Sequence, residues 1–169
     1  MITQERFRQG MTFPQYLDQM VTNKEKFLQS LSEIKVSPED QKVFRNLKKK
    51  LNVLVITEDW CGDALMNFPV LAKLVEGAAS VEMRIFLRDQ NPDLTDRYLN
   101  QGIYRSIPVF AFFDDHMQEL ARFIERPPKV TEFIDKKMGE TRRALREQHK
   151  EEWQRAAVEE LASLLKGVE

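Results

Sequence analysis

The stretch LNVLVITEDWCGDA, residues 51–64, limits the fold of this chain more than any other. Its apolar, β-branched start over 51–57 reads as a buried strand. A helical segment interrupted by Pro69 follows from Ala64 to Glu76. Trp60, Cys61, Gly62 and Asp63 therefore fall at a strand-to-helix junction. Cys61 is the only cysteine, and Ala64 stands where a second sulfur would complete a Cys-x-x-Cys pair.

The segments around this junction extend the pattern. VEMRIFL (81–87) alternates as a strand does, Asp93 to Leu99 predicts a short helix, and Gly102 marks a break after it. IPVFAFFDD (107–115) and QELARFIE (118–125) read as a strand pair turning around Asp114 to Met117. Ahead of residue 51 the spacing is helical. Phe13, Tyr16, Leu17 and Met20 form one stripe; Phe27, Leu28, Leu31 and Ile34 form a second, behind Thr22 as a cap with Glu25 three residues on. Ser37-Pro38-Glu39-Asp40 signals a third helix, with Val43, Phe44 and Leu47 on its apolar face. From Val130 onward the chain is charged and helical, with Gly139 its weak point. A strand–helix–strand start ending in a hairpin predicts an α/β fold, a mixed sheet flanked by helices.

Composition excludes several classes of partner. The 26 Lys and Arg nearly balance the 27 Asp and Glu, so no global field favours nucleic acid or an anionic membrane. The run Lys48-Lys49-Lys50 reads as the end of a helix, where cations meet the negative dipole end. MITQERFRQG lacks the apolar core of a signal peptide, and IPVFAFF is far shorter than the roughly 20 residues that span a bilayer. One cysteine forms no internal disulfide, and the expected location is cytoplasmic. With one Cys and two scattered histidines, His116 and His149, no zinc constellation arises; no phosphate loop is present either, so neither a metal nor a cofactor is expected.

Taken with the order of elements, three motifs resemble the thioredoxin superfamily: Trp60-Cys61-Gly62 at the junction, Pro69 eight residues past Cys61, and YRSIPVF (104–110) opening a later strand. The resemblance covers roughly 51–137. It implies a thioredoxin-like core there; the N-terminal helical segment (1–50) and the long C-terminal helical extension (138–169) lie outside the resemblance and are expected to pack on the core as one compact domain. It also implies a cis Ile107-Pro108 bond facing Cys61, with Trp60 covering the thiol. The site expected from it is Cys61 as the reacting group, with Trp60, Gly62, Asp63, Ile107 and Pro108 contacting the substrate.

A thiol in the first turn of a helix faces unpaired N–H groups and the positive dipole end, which predicts a lowered pKa. Asp63 opposes that with its charge. Glu58 and Asp59 read as solvated loop acids, and Arg105 as a cation that either offsets them near the thiol or belongs to the surface. Val55, six residues before Cys61, occupies the position of the family's buried relay acid. Losing that acid and the second cysteine together removes the internal resolving step.

Two functions follow. In the first, a monothiol protein forms mixed disulfides through Cys61 with protein or low-molecular-weight thiols. In the second, a redox-silent binding module uses the Trp60/Pro108 groove. In the tail, Trp153, Ala157, Leu161, Leu164 and Leu165 fall on one helical stripe. It is expected to dock on the N-terminal helices of the same chain, with a homodimer through paired C-terminal helices as the alternative.

Overall fold

Strand β1 (Leu51–Thr57) is buried along its whole length, Asn52 and Thr57 included, as its mostly apolar, β-branched run indicates. The computed structural model describes residues 1–137 and 142–166, and of Arg143 the backbone alone. In it β1 pairs parallel with β2 (Val81–Leu87) and antiparallel with β3 (Val109–Phe113), and β3 pairs antiparallel with β4 (Glu119–Ile124). The sheet order is β2-β1-β3-β4. Side chains alternate across this sheet. Val53 and Val55 of β1 face one cluster with Phe110 and Phe112 of β3, while Leu54 and Ile56 face a second with Val109 and Ala111.

Four helices precede the sheet: α1 (Gln4–Arg8), α2 (Phe13–Gln19), α3 (Lys24–Glu33) and α4 (Pro38–Arg45). The expected Ser37 cap of α4 is present, its hydroxyl accepting from the Asp40 N–H at 3.1 Å. The cap of α3 is Asn23 and not Thr22; Asn23 sits at φ 58°, and the Thr22 N–H is taken by Asp59. Leu28 is exposed, so the buried side of α3 runs through Phe27, Ser30 and Ile34. Lys48–Lys50 lie past the end of α4, and Lys50 pairs with Glu82 on β2 at 2.6 Å.

The helix after β1, α5, starts earlier than its apolar pattern indicates and spans Gly62–Leu74. Phe68 at its middle is fully buried. Its ring lies 5.7, 5.3 and 5.6 Å from those of Phe13, Tyr16 and Phe27, and 6.0 Å from Phe110. One side chain thus joins the N-terminal helices to the sheet. Phe68→Ala is expected to cost about 3–5 kcal/mol. For a chain of this size that lowers Tm by roughly 10 °C; thermal melting followed by circular dichroism checks it.

Between β2 and β3 the expected helix is short: α6 (Pro92–Thr95) follows a 3-10 turn at Arg88–Gln90. Beyond β4, the continuous tail helix is replaced by α7 (Pro128–Lys136), α8 (Arg142–Gln148) and α9 (Lys150–Ser163). Gly139 lies outside the described residues. The apolar stripe of α9 is buried within the chain: Ala157, Val158, Leu161 and Leu165 join the cluster formed by α3, α4, α5 and the sheet. Trp153 packs with Val130 and Leu145. Ion pairs Lys150–Glu33 and Arg155–Asp40, both 2.9 Å, tie α9 to α3 and α4.

Candidate functional site

Cys61 is the N-cap of α5, with extended backbone at φ −78° and ψ 122°. Its Sγ accepts from the Ala64 N–H at 3.5 Å, one of the helix's otherwise unpaired donors. On its other side the S–H donates to the Ile107 carbonyl oxygen at 3.4 Å. The Ile107–Pro108 peptide bond is cis. The Pro108 carbonyl in turn accepts from the Glu125 N–H at 2.7 Å, which fixes the loop before β3 against the end of β4.

Trp60 is 47% exposed, with the Arg88 guanidinium 4.7 Å from its ring centroid. Of the expected site residues Cys61 meets Ile107 directly, while Trp60 and Gly62 flank Cys61 in the chain, Asp63 follows in the first turn of α5, and Pro108 follows Ile107. A cleft of about 730 Å³ is lined by Tyr104, Ser106, Arg126 and residues of α7.

The expectation of a lowered thiol pKa does not hold. Burial pushes the Cys61 thiol up, and the charge of Asp63 adds to this. The backbone N–H groups of Ala64 and Asp63 and the Arg146 guanidinium act in the opposite sense without overcoming it. The sulfur packs against the apolar cluster of Ile56, Ile107 and Val109, and loss of water there outweighs the helix start.

The two acids of the loop differ in exposure, Glu58 being buried and Asp59 half-buried. Glu58 is buried, and its Oε1 accepts from the Asp89 N–H at 2.9 Å. Burial raises the pKa of this carboxyl. Asp59 Oδ2 accepts from the Val21 and Thr22 N–H groups, both at 2.8 Å, so it anchors the turn between α2 and α3 to the site. Arg105 is a surface cation, bonded through two nitrogens to Asp96 at 2.7 and 2.9 Å.

The cations beside the site are ones that sequence reasoning missed. Arg126, in the turn after β4, and Arg146, on α8, both meet Asp63 Oδ2, at 3.4 and 2.8 Å. Arg126 also pairs with Glu125. No local spacing announces them, because both arrive through tertiary packing from distant parts of the chain.

A family model described as Thioredoxin matches residues 10–156, most of the chain. The chain belongs to the thioredoxin family. The match extends on both sides of 51–137, into the N-terminal helices and into α9, so this thioredoxin-family protein shares more than the sheet with its relatives. Among solved structures it is similar to a protein of unknown function from Pseudomonas aeruginosa, at 18% identity and TM-score 0.79, each chain covered over 100%. It is also similar to an HIV epitope-scaffold protein, at 20% identity and TM-score 0.73, with 96% of each chain covered. These two share the fold. No curated protein matches the sequence. Among the described residues, no cluster of His, Cys, Asp and Glu is arranged to hold a metal ion, and no helix is long and apolar enough to cross a membrane.

Proposed function

We propose that this thioredoxin-family protein is a cytoplasmic monothiol exchange protein whose reacting group is Cys61. The observation that carries the reading is the sulfur's position, between the first turn of α5 and the Ile107 carbonyl, beside a half-exposed Trp60. The thiolate of Cys61 attacks one sulfur of a disulfide, forming a Cys61–S–S–R bond and expelling the other sulfur as a thiolate. A second, external thiolate then attacks the mixed disulfide, forming a new disulfide with R and returning Cys61 to its thiolate. Two exchanges leave the protein unchanged, and neither needs a sulfur at position 64. The backbone at Ile107 pairs with the substrate segment, and Gly62 and Asp63 border it. The partners are protein disulfides or a low-molecular-weight thiol.

The test is adduct formation. Incubation with oxidised glutathione is expected to give a single mixed disulfide on Cys61 by mass spectrometry, lost in Cys61→Ser and removed by added thiol. No adduct on the native chain would refute the reading.

The raised thiol pKa favours a second reading, the redox-silent binding module in which the Trp60/Pro108 groove holds a peptide without covalent chemistry. A raised pKa keeps more of the sulfur protonated at neutral pH. The gain in nucleophilicity offsets less than half of this on a logarithmic scale. The alkylation rate of Cys61 is therefore expected to titrate with a midpoint above that of a free cysteine; a midpoint below it would contradict the burial argument. That midpoint together with absence of any glutathione adduct would select the binding module.

A further inference from the structure

Asp63 needs an explanation at a thiol site. A carboxylate two residues from the sulfur opposes thiolate formation, yet here it is buried at the start of α5. Two guanidinium groups converge on its Oδ2, Arg126 from the turn after β4 and Arg146 from α8. The Arg126 side chain is only 6% exposed, and its Nε has no hydrogen-bond partner among the described residues. Arg126 is further occupied by Glu125. Arg146 makes the shorter contact and lies directly over Gly62, where an added Cβ would strike its guanidinium.

We infer that Arg146 is a positioning residue for the Cys61 thiol: it holds the Asp63 carboxylate in an ion pair and so offsets part of the charge that Asp63 exerts on the sulfur. The inference rests on the reading of Cys61 as a working thiol, and it gives α8 a part in the site. Glycine at 62 leaves the space the guanidinium occupies. The remaining charged and titratable groups near the sulfur are engaged or set by other forces. Glu58 is bound to the Asp89 N–H, Asp59 to the Val21 and Thr22 N–H groups, and Glu125 to Arg126 and Asn100. Tyr16 is neutral, its phenol pushed up by burial. Arg142 acts on Arg126, whose pKa burial lowers.

The experiment is iodoacetamide alkylation of Cys61 across pH in the full chain, with circular dichroism to confirm folding. In Arg146→Gln the midpoint is expected to rise and the rate at neutral pH to fall roughly three- to tenfold, with the plateau at high pH unchanged. Asp63→Asn is expected to move the midpoint down. Gly62→Ala leaves every charge in place while displacing the guanidinium, so it should move the midpoint up, and it serves if Arg146→Gln does not fold. The effect of Arg146→Gln should shrink in an Asp63→Asn background, as action through Asp63 requires. If Arg146 merely shields the thiol, its removal raises the plateau and leaves or lowers the midpoint, which overturns the inference. An effect of equal size with and without Asp63 overturns it as well. Alkylation needs no redox partner. A shifted midpoint without glutathione exchange would therefore defeat the monothiol reading while leaving Arg146 in its role.

Discussion

Ala64→Cys is expected to give this protein a disulfide reductase turnover that the native chain lacks. Reduction of insulin with internal release of substrate needs two thiols, and Cys61 carries the only one. Position 64 is one helical turn from the N-cap, and its backbone N–H already lies 3.5 Å from the Cys61 sulfur. A thiol placed there attacks the mixed disulfide within one molecule, where effective concentrations far exceed those of an external thiol. Turnover in the native chain should match the uncatalysed background, and the variant should exceed it by roughly tenfold or more. The gain is limited by two features. Ala64 is buried, so the new sulfur enters packed surroundings, and Val55 supplies no proton relay. Robust insulin reduction by the native chain would contradict the one-sulfur mechanism.

Ending the chain at residue 139 is expected to have the largest effect on stability. It removes Trp153, Ala157, Val158, Leu161 and Leu165 from buried positions and uncovers the faces of α3, α4 and α5 that they cover. Each large apolar side chain contributes about 1.5–3 kcal/mol by burial. Several together rival the roughly 5–15 kcal/mol by which a domain of this kind is stable. The truncated chain should therefore lose its cooperative melt, or melt at least about 20 °C lower, at every protein concentration tried. A truncated chain with an unchanged melting temperature would show that the α9 stripe carries no stability. A folded truncated chain that elutes as a smaller species would point instead to pairing through the tails of two copies.

The sheet was legible because its strands advertise themselves. The mostly apolar, β-branched run at 51–57 reflects burial along β1 itself, and the alternation at 81–87 and the turn around Asp114–Met117 are likewise patterns of neighbours in sequence. Ser37 was legible for the same reason: a cap is a contact between neighbours in sequence. What escaped was set at a distance. Five-residue α1 carries a single buried apolar side chain, Phe7, and so has no periodicity to read. Asn23 displaces Thr22 as cap because Asp59, from another loop, claims the Thr22 N–H. The phase of α3 turns Leu28 outward because Phe27 is drawn toward Phe68. At the site, Trp60 to Asp63 and Ile107–Pro108 were readable as motifs. The acid Glu58 was misread as solvated, the bonds of Asp59 to the turn before α3 were not foreseen, and Arg126 and Arg146 were invisible, because a sequence does not display which charge will meet which. The thiol's raised pKa has the same origin, since desolvation is a property of the packed neighbourhood and not of the helix start alone.

Met11 and Ile85 exchange two backbone hydrogen bonds, both 2.8 Å, so the segment between α1 and α2 bridges the outer edge of β2 at Ile85. Unpaired strand edges recruit other chains, and this bridge interrupts one such edge. It also imposes an order on synthesis. A ribosome adds about 5–20 residues per second, so Met11 waits for several seconds before Ile85 exists to receive it. For most of that interval the rings of Phe13, Tyr16 and Phe27 lack Phe68, and for all of it they lack a completed sheet to pack against. The nascent chain therefore passes through a stage in which its first helices are apolar on one side and unpartnered, and holding that stage soluble falls to the charged residues on their other faces and to the chaperones that meet the chain as it emerges.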